Sequence, residues 1–262
     1  MPAIVVIPAR FEASRFPGKP LTSLAGKPMI QHVYENAARA QRVNAVIVAT
    51  DSDRIAEAVR AFGGSAVMTS DAHQSGTDRI AEAVRILTED GMLIGAEDVV
   101  VNVQGDEPLL NPAMVDEVIG LMDDPRADIG TLAKRISDVE DLFNPNVVKV
   151  VFGPDGYALY FSRAPIPYHR DLFIRGSEGL PDEKLAEVSM YRHCGIYAFR
   201  RRSLERFAQL PPARLEQIEK LEQLRALENN IAIKVGITEH TTIGVDTPED
   251  LERVKQWLST SL

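Results

Sequence analysis

Short valine-rich runs alternate with amphipathic segments through residues 3–122, and this alternation restricts the fold more than any other feature of the chain. Residues 3–7, 45–49, 65–68 and 98–103 are brief apolar stretches, the pattern of strands covered on both faces. Between them, residues 29–40, 54–62, 77–87 and 112–122 carry apolar side chains at helical spacing. In the first of these Ile30, Val33, Tyr34 and Ala37 share a face. Asp51 and Asp53 offer cap oxygens ahead of the second helix, and Gly63 and Gly64 stop it. This order predicts a doubly wound, mainly parallel α/β sheet, whose ligands bind beyond the carboxyl ends of its strands.

The rhythm changes after residue 128. Residues 147–152 and 157–161 flank Gly153-Pro-Asp-Gly156, a hairpin signal. The stretch 164–188 is polar, contains proline and has no periodicity, which reads as a functional flap or an interface arm. A strand over 190–199, a helix over 215–227, a strand over 231–235 and a helix over 248–258 complete the reading. A length of 262 residues accommodates one large domain, or a domain with a smaller sub-domain.

Charge and composition narrow the function. The net charge of −9 speaks against non-specific nucleic-acid binding, which needs broad basic surface. One cysteine, Cys194, allows neither an internal disulfide nor a cysteine zinc site and reads as a small buried side chain. The first apolar run is too short for a signal segment or a membrane span, so a soluble, cytoplasmic chain is expected. His32, His73, His169 and His240 show no metal-ligand spacing.

Against this acidic background, Arg10, Arg15 and Lys19 crowd one loop after the first strand, around Pro17 and Gly18. Guanidinium forks and a mobile ammonium suit phosphate oxygens, so the loop reads as a polyphosphate cradle, with a nucleoside triphosphate attacked at its α-phosphate. Neither a Walker A loop nor Gly-x-Gly-x-x-Gly is present, which argues against a dinucleotide-dependent oxidoreductase. Asp106 follows the strand over 98–103 through Gly105, a position where a carboxylate can hold Mg²⁺ facing a triphosphate. Thr247, Pro248 and Asp250 form a helix start, which leaves Asp246 available as a second carboxylate. Pattern does not decide whether Ser75, Thr77 and Asp78 read a base or only start a helix. Arg163 reads equally as an anion contact and as a surface arginine. His193, Gly195 and Tyr197 alternate onto one strand face, where a lone histidine is more often structural. Glu222 and Gln223 by themselves read as a solvated helix face.

Taken in order, these segments resemble the 3-deoxy-manno-octulosonate (Kdo) cytidylyltransferase, or CMP-Kdo synthetase, family of bacteria that make lipopolysaccharide. The resemblance runs from the opening Val5–Leu21 through Gln74–Arg79, Asn102–Pro108, Tyr160–Pro167, His193–Tyr197 and Leu221–Leu227 to Gly244–Leu251, nearly the whole chain. It implies a Rossmann-like nucleotidyltransferase fold spanning 1–262, with an inserted hairpin sub-domain at about 145–200 for sugar binding and dimerisation. It implies a homodimer that uses CTP, Kdo and Mg²⁺. Arg10, Arg15 and Lys19 would hold the triphosphate, and Asp106 with Asp246 the metal, with Lys19 also counted among the catalytic groups. Ala9, Ser75, Thr77, Asp78 and Gln104 would lie at the nucleotide. His193, Tyr197, Glu222 and Gln223 would line the sugar pocket, with Arg163 near the sugar's charge. The 164–188 stretch departs furthest from the family pattern, and the resemblance assigns no role to His169 or Arg170.

Overall fold

The computed structural model describes residues 2–12, 16–73, 75–173, 182–185, 187–245 and 247–260. The first half contains β1 (Ala3–Ala9), a 3-10 turn (Lys19–Leu21), β2 (Ser23–Leu24), β3 (Lys27–Pro28), α1 (Met29–Ala38), β4 (Ala45–Thr50) and α2 (Asp53–Ala61). It continues with β5 (Ser65–Met68), α3 (Gly76–Glu89), β6 (Val99–Asn102) and α4 (Pro112–Leu121). The second half holds β7 (Ile129–Arg135), α5 (Val139–Phe143), β8 (Lys149–Phe152), β9 (Ala158–Ser162) and α6 (Asp182–Leu185). Then follow β10 (Tyr191–Arg200), α7 (Arg201–Ala208), α8 (Arg214–Glu219), α9 (Gln223–Glu228), β11 (Ile233–Ile237) and α10 (Pro248–Thr260). No helix among the described residues is long and apolar enough to cross a membrane.

Among the described residues nine strands share one sheet. Seven follow the order β11-β7-β10-β6-β1-β4-β5, and the β8–β9 hairpin attaches to β10. β1 lies between β4 and β6 and runs parallel to both. Its unbroken apolar run is explained by cover on both faces. Val5 and Ile7 meet Ile30, Val33 and Val115 on one side, while Ile4 and Val6 join the layer of Ile80, Val84 and Phe207 on the other. Each such buried aliphatic side chain contributes ~1.5–3 kcal/mol.

The chain leaves β1 toward β4 and β5, then crosses back to β6 on the other side of β1. The carboxyl ends of β1 and β6 therefore form a topological switch point, the usual crevice for a ligand in such sheets. The two loops that leave it touch. A Cβ on Gly105 would lie 2.9 Å from the Pro8 carbonyl oxygen, so this contact needs glycine.

Direction is the feature that strand patterning leaves open. β10 runs antiparallel to both β6 and β7, while β11 is parallel to β7. The sheet is thus mainly parallel with one reversed strand in its row of seven. Tyr197 pairs with Asn102, the last residue of β6, so residues 191–196 extend beyond the carboxyl end of β6. Reversal is what carries His193 to the ligand edge.

Further elements differ from the expectation. β7 and α7 form although periodicity marks neither. The helix expected over 215–227 is broken into α8 and α9, because Lys220 adopts a left-handed conformation with φ 54°. Strands within residues 145–200 join the main sheet, and β10 lies inside it between β6 and β7. Leu185 and Phe173 pack with Ile136, Leu142 and Met190 in a satellite core.

Arg79, fully buried in the first turn of α3, donates to Asp51 Oδ2 at 2.5 Å and to Thr69 Oγ1 at 2.6 Å. It ties the start of α3 to the chain leaving β4 and β5. Arg79→Met is expected to cost about 3–5 kcal/mol, because Asp51 then keeps a half-enclosed charge without its partner. A urea melt reads the loss; an unchanged midpoint would show that the pair adds nothing.

Candidate active site

The basic loop after β1 closes on itself. Gly18, at φ 72°, donates its N–H to the Phe11 carbonyl at 2.8 Å and opens the 3-10 turn that carries Lys19. The Phe11 ring lies under the Arg54 guanidinium, 4.4 Å from it. Lys19 Nζ donates to Asp106 Oδ2 and to the Val245 carbonyl, both at 2.8 Å. The Val245 N–H in turn donates to the Asp106 carbonyl at 2.9 Å. One junction therefore joins the loop after β1, the loop after β6 and the chain entering α10. Val245 is anchored by Leu24, Met29, Leu251 and Val254.

Of the three cations, Lys19 meets the acid directly. Arg10 turns the other way and donates to the carbonyls of His73 and Ser75, ahead of α3. Arg15 lies outside the described residues, as does Asp246, although its neighbour Val245 is held against Asp106. Among the described residues no group of three histidine, cysteine or acidic side chains could hold a metal. Asp106 itself offers a hard carboxylate donor, the type that suits a cation keeping most of its water.

The start of α3 forms the next wall. Ser75 caps the helix by accepting the Asp78 N–H at 3.1 Å, so its capping role is real. Thr77 does something else. Its buried hydroxyl donates to Glu222 Oε2 at 2.6 Å, across 145 residues of sequence. The left-handed turn at Lys220 makes this reach possible, because it sets Glu222 at the head of α9 rather than along one continuous helix. Burial pushes the Glu222 carboxyl above its ordinary range, against the pull of its Thr77 hydrogen bond. Its Oε1 is buried with no hydrogen-bond partner among the described residues. Gln223 is buried in the first turn of α9, Ala9 is buried at the end of β1, and Gln104 donates to Asn102 Oδ1 at 3.3 Å.

The overhanging end of β10 closes the group. The His193 and Tyr197 rings lie 5.3 Å apart, and Phe161 meets His193 edge-on at 5.1 Å. Burial raises the Tyr197 phenol, with the Glu222 charge acting the same way. Burial also holds His193 down to about 3, which leaves its imidazole neutral. Beside this end of β10, a polar cleft of about 170 Å³ is lined by Glu107, Lys134, Arg192, His193 and His240 among others. There burial and the Asp106 charge lift Glu107 to about 7. Cys194, half-buried, is pushed up to about 11 by burial and is no nucleophile at neutral pH.

Arg163 is not brought into this group. Its guanidinium donates to the carbonyls of Glu219 at 2.7 Å, Pro145 at 2.8 Å and Lys220 at 3.3 Å, and so braces the turn that delivers Glu222. Glu219 completes the brace by accepting from Ser162 Oγ at 2.6 Å. Sequence reading missed Glu219, and it missed Thr131, which bonds His193. An open cleft of about 960 Å³ also runs beside α3, α7 and α8, with Ser75, Asp78 and Glu222 on its wall. The charge-bearing junction at Asp106 lies at the switch point rather than in that larger space.

The fold and this edge define a nucleotidyltransferase-like α/β protein. The profile of the family described as "Cytidylyltransferase" matches residues 4–234, and the chain belongs to that family. It is 54% identical over 260 residues, covering 99% of both chains, to the 3-deoxy-manno-octulosonate cytidylyltransferase of Thermodesulfovibrio yellowstonii. It is 54% identical over 256 residues, 97% of this chain and 98% of the relative, to that of Geobacter sulfurreducens. Among solved structures it is similar to CMP:2-keto-3-deoxy-manno-octonic acid synthetase complexed with CTP, with TM-score 0.87, 42% identity and complete coverage of both chains. The fold is also shared with a 4-diphosphocytidyl-2C-methyl-D-erythritol synthase at TM-score 0.64 and 15% identity, over 98% of this chain and 100% of the other.

The neutral His193 sets a pH signature. Unfolded, the ring takes a proton near its ordinary 6.5, whereas folded it resists protonation down to about 3. Stability is therefore lost as pH falls from about 6.5 toward 3, and this group contributes no pH dependence above 6.5. His193→Gln is expected to melt below wild type at pH 7 and to close that gap as the pH drops. A gap that stays constant from pH 7 to pH 4 would contradict the neutral assignment.

Proposed function

We propose that this chain transfers CMP from CTP to the anomeric hydroxyl of 3-deoxy-D-manno-octulosonate, giving CMP-Kdo and pyrophosphate. The observation that carries the reading is the junction of Lys19, Asp106 and Val245 at the β1/β6 switch point. It occurs in a chain that aligns end to end, at 42% identity, with a synthetase solved with CTP.

The sugar hydroxyl attacks the α-phosphorus, the bond from that phosphorus to the bridging oxygen breaks, and pyrophosphate leaves. Positioning and charge neutralisation dominate such transfers. Arg10, Arg15 and Lys19 take up the charge of the triphosphate and of the departing pyrophosphate. Ala9, Ser75, Thr77, Asp78 and Gln104 flank the nucleotide. His193, Tyr197, Glu222 and Gln223 line the sugar side. There Glu222 Oε1, which makes no hydrogen bond among the described residues and lies 4.0 Å from the Arg225 guanidinium, is an acceptor suited to a sugar hydroxyl, and the neutral His193 can accept a second. Arg163 acts on this pocket through the Lys220 turn. Asp106 and Asp246 are the residues that would hold Mg²⁺. When bound, the ion supplies charge neutralisation at the α-phosphate and a lower pKa for the attacking hydroxyl. The proposal extends to a cytoplasmic homodimer serving lipopolysaccharide synthesis, with the segment around 145–200 at the dimer contact.

Pyrophosphate release from CTP and Kdo, measured with and without Mg²⁺, tests the reading. Wild type is expected to turn over only with both substrates and the metal. Asp106→Ala should lose nearly all turnover while keeping its melting transition, and Lys19→Ala should lose roughly a hundredfold or more in rate. Turnover with a sialic acid in place of Kdo, or full activity of Asp106→Ala at saturating Mg²⁺, would overturn it.

A further inference from the structure

β10 does not pair regularly along β7. Cys194 is opposite Leu132 and Tyr197 is opposite Thr131, so Gly195 and Ile196 are two extra residues facing nothing in the ladder. An even insertion preserves side-chain parity, and His193 and Tyr197 stay on one face. It also shortens their separation. Residues four apart in a regular strand are spaced by about 13 Å, yet these rings lie 5.3 Å apart. Bulges of this kind re-aim side chains near functional sites.

The bulge leaves carbonyls to be satisfied, and Thr131 meets them. Its fully buried hydroxyl lies 2.8 Å from the Ile196 carbonyl oxygen, 3.3 Å from that of Cys194 and 2.9 Å from His193 Nε2. A hydroxyl has one proton. Both carbonyls can only accept, and the closer one requires that proton at such a distance. The lone pair of Oγ1 is then left for His193, whose Nε2 must carry the hydrogen. We infer that Thr131 is a positioning residue that fixes His193 as the Nε2–H tautomer and so presents Nδ1 as a hydrogen-bond acceptor for a hydroxyl of the sugar substrate. Among the described residues nothing donates to Nδ1. The depressed basicity of the ring agrees, since a protonated imidazole would have no acceptor at all. The sugar part of the inference rests on the function proposed above; the tautomer part does not.

Two measurements on the full-length chain test it. Long-range ¹H–¹⁵N spectra of the histidine rings, with His193 assigned through His193→Gln, should show the Nε2–H form in wild type. Thr131→Val should shift that resonance toward the other tautomer, and Thr131→Ser, which keeps the hydroxyl, should restore it. In turnover, Thr131→Val should raise KM for Kdo by about tenfold, the scale of one misdirected hydrogen bond. KM for CTP should stay within about twofold, and Thr131→Ser should behave as wild type. An Nδ1–H signal in wild type overturns the inference even if no variant folds. Equal losses for both substrates, or a Thr131→Ser variant as impaired as Thr131→Val, would reduce Thr131 to a packing role. Absence of any wild-type turnover on CTP and Kdo would instead defeat the proposed function, leaving the spectrum to decide the tautomer.

Discussion

The ion pair between Lys19 and Asp106 is the constraint on which this molecule's ligand edge depends. Its two members come from loops that leave neighbouring parallel strands, and a third segment, at Val245, completes it from the far end of the chain. The pair forms only because the loops can approach. Gly105 permits that approach against Pro8, and the left-handed Gly18 turns the basic loop back over the strand end. Side-chain exposures of 13% and 34% put the pair between a surface and a core setting, where water weakens the attraction but does not erase it. Such a junction presents both signs of charge at the strand ends, which the function proposed above uses to meet a triphosphate.

A second tier of contacts builds the opposite wall, and these contacts are long-range. Thr77 binds Glu222, Arg163 braces Lys220, and Thr131 holds the bulge beneath His193. The first joins the doubly wound half to the second half of the chain, and the other two tie together elements 57 and 62 residues apart within that second half. This wall is thus assembled from parts that no local sequence window contains. Parallel strands supply the wall at Lys19 and Asp106, and β10, the one reversed strand in the row of seven, supplies the wall at His193 and Tyr197.

This division explains what the sequence discloses. The strands and helices of the first half are legible because both-face burial forces continuous apolar runs and each helix keeps one apolar stripe. Lys19 and Asp106 are legible because charge directly after such a run is uncommon. Other features depend on distant partners. β7 contains Gly130 and Lys134 and shows no alternation, since it is buried over most of its length between two strands. Lys220 is an ordinary helix former, and only its bracing by Arg163 shows why the helix breaks there. The direction of β10, and hence the placing of His193, is written in the pairing rather than in the residues. The contacts of Arg163 follow from the same turn, and no spacing rule would have found them.

The central claim is that Lys19 and Asp106 act as one unit on a bound triphosphate. A double-mutant cycle on pyrophosphate-forming turnover, with Lys19→Met, Asp106→Asn and the two combined, tests this most directly. The account predicts that the combined variant loses about as much rate as the worse single variant, as expected for groups that work as one unit. Losses that simply multiply, as they do for independent sites, would contradict it.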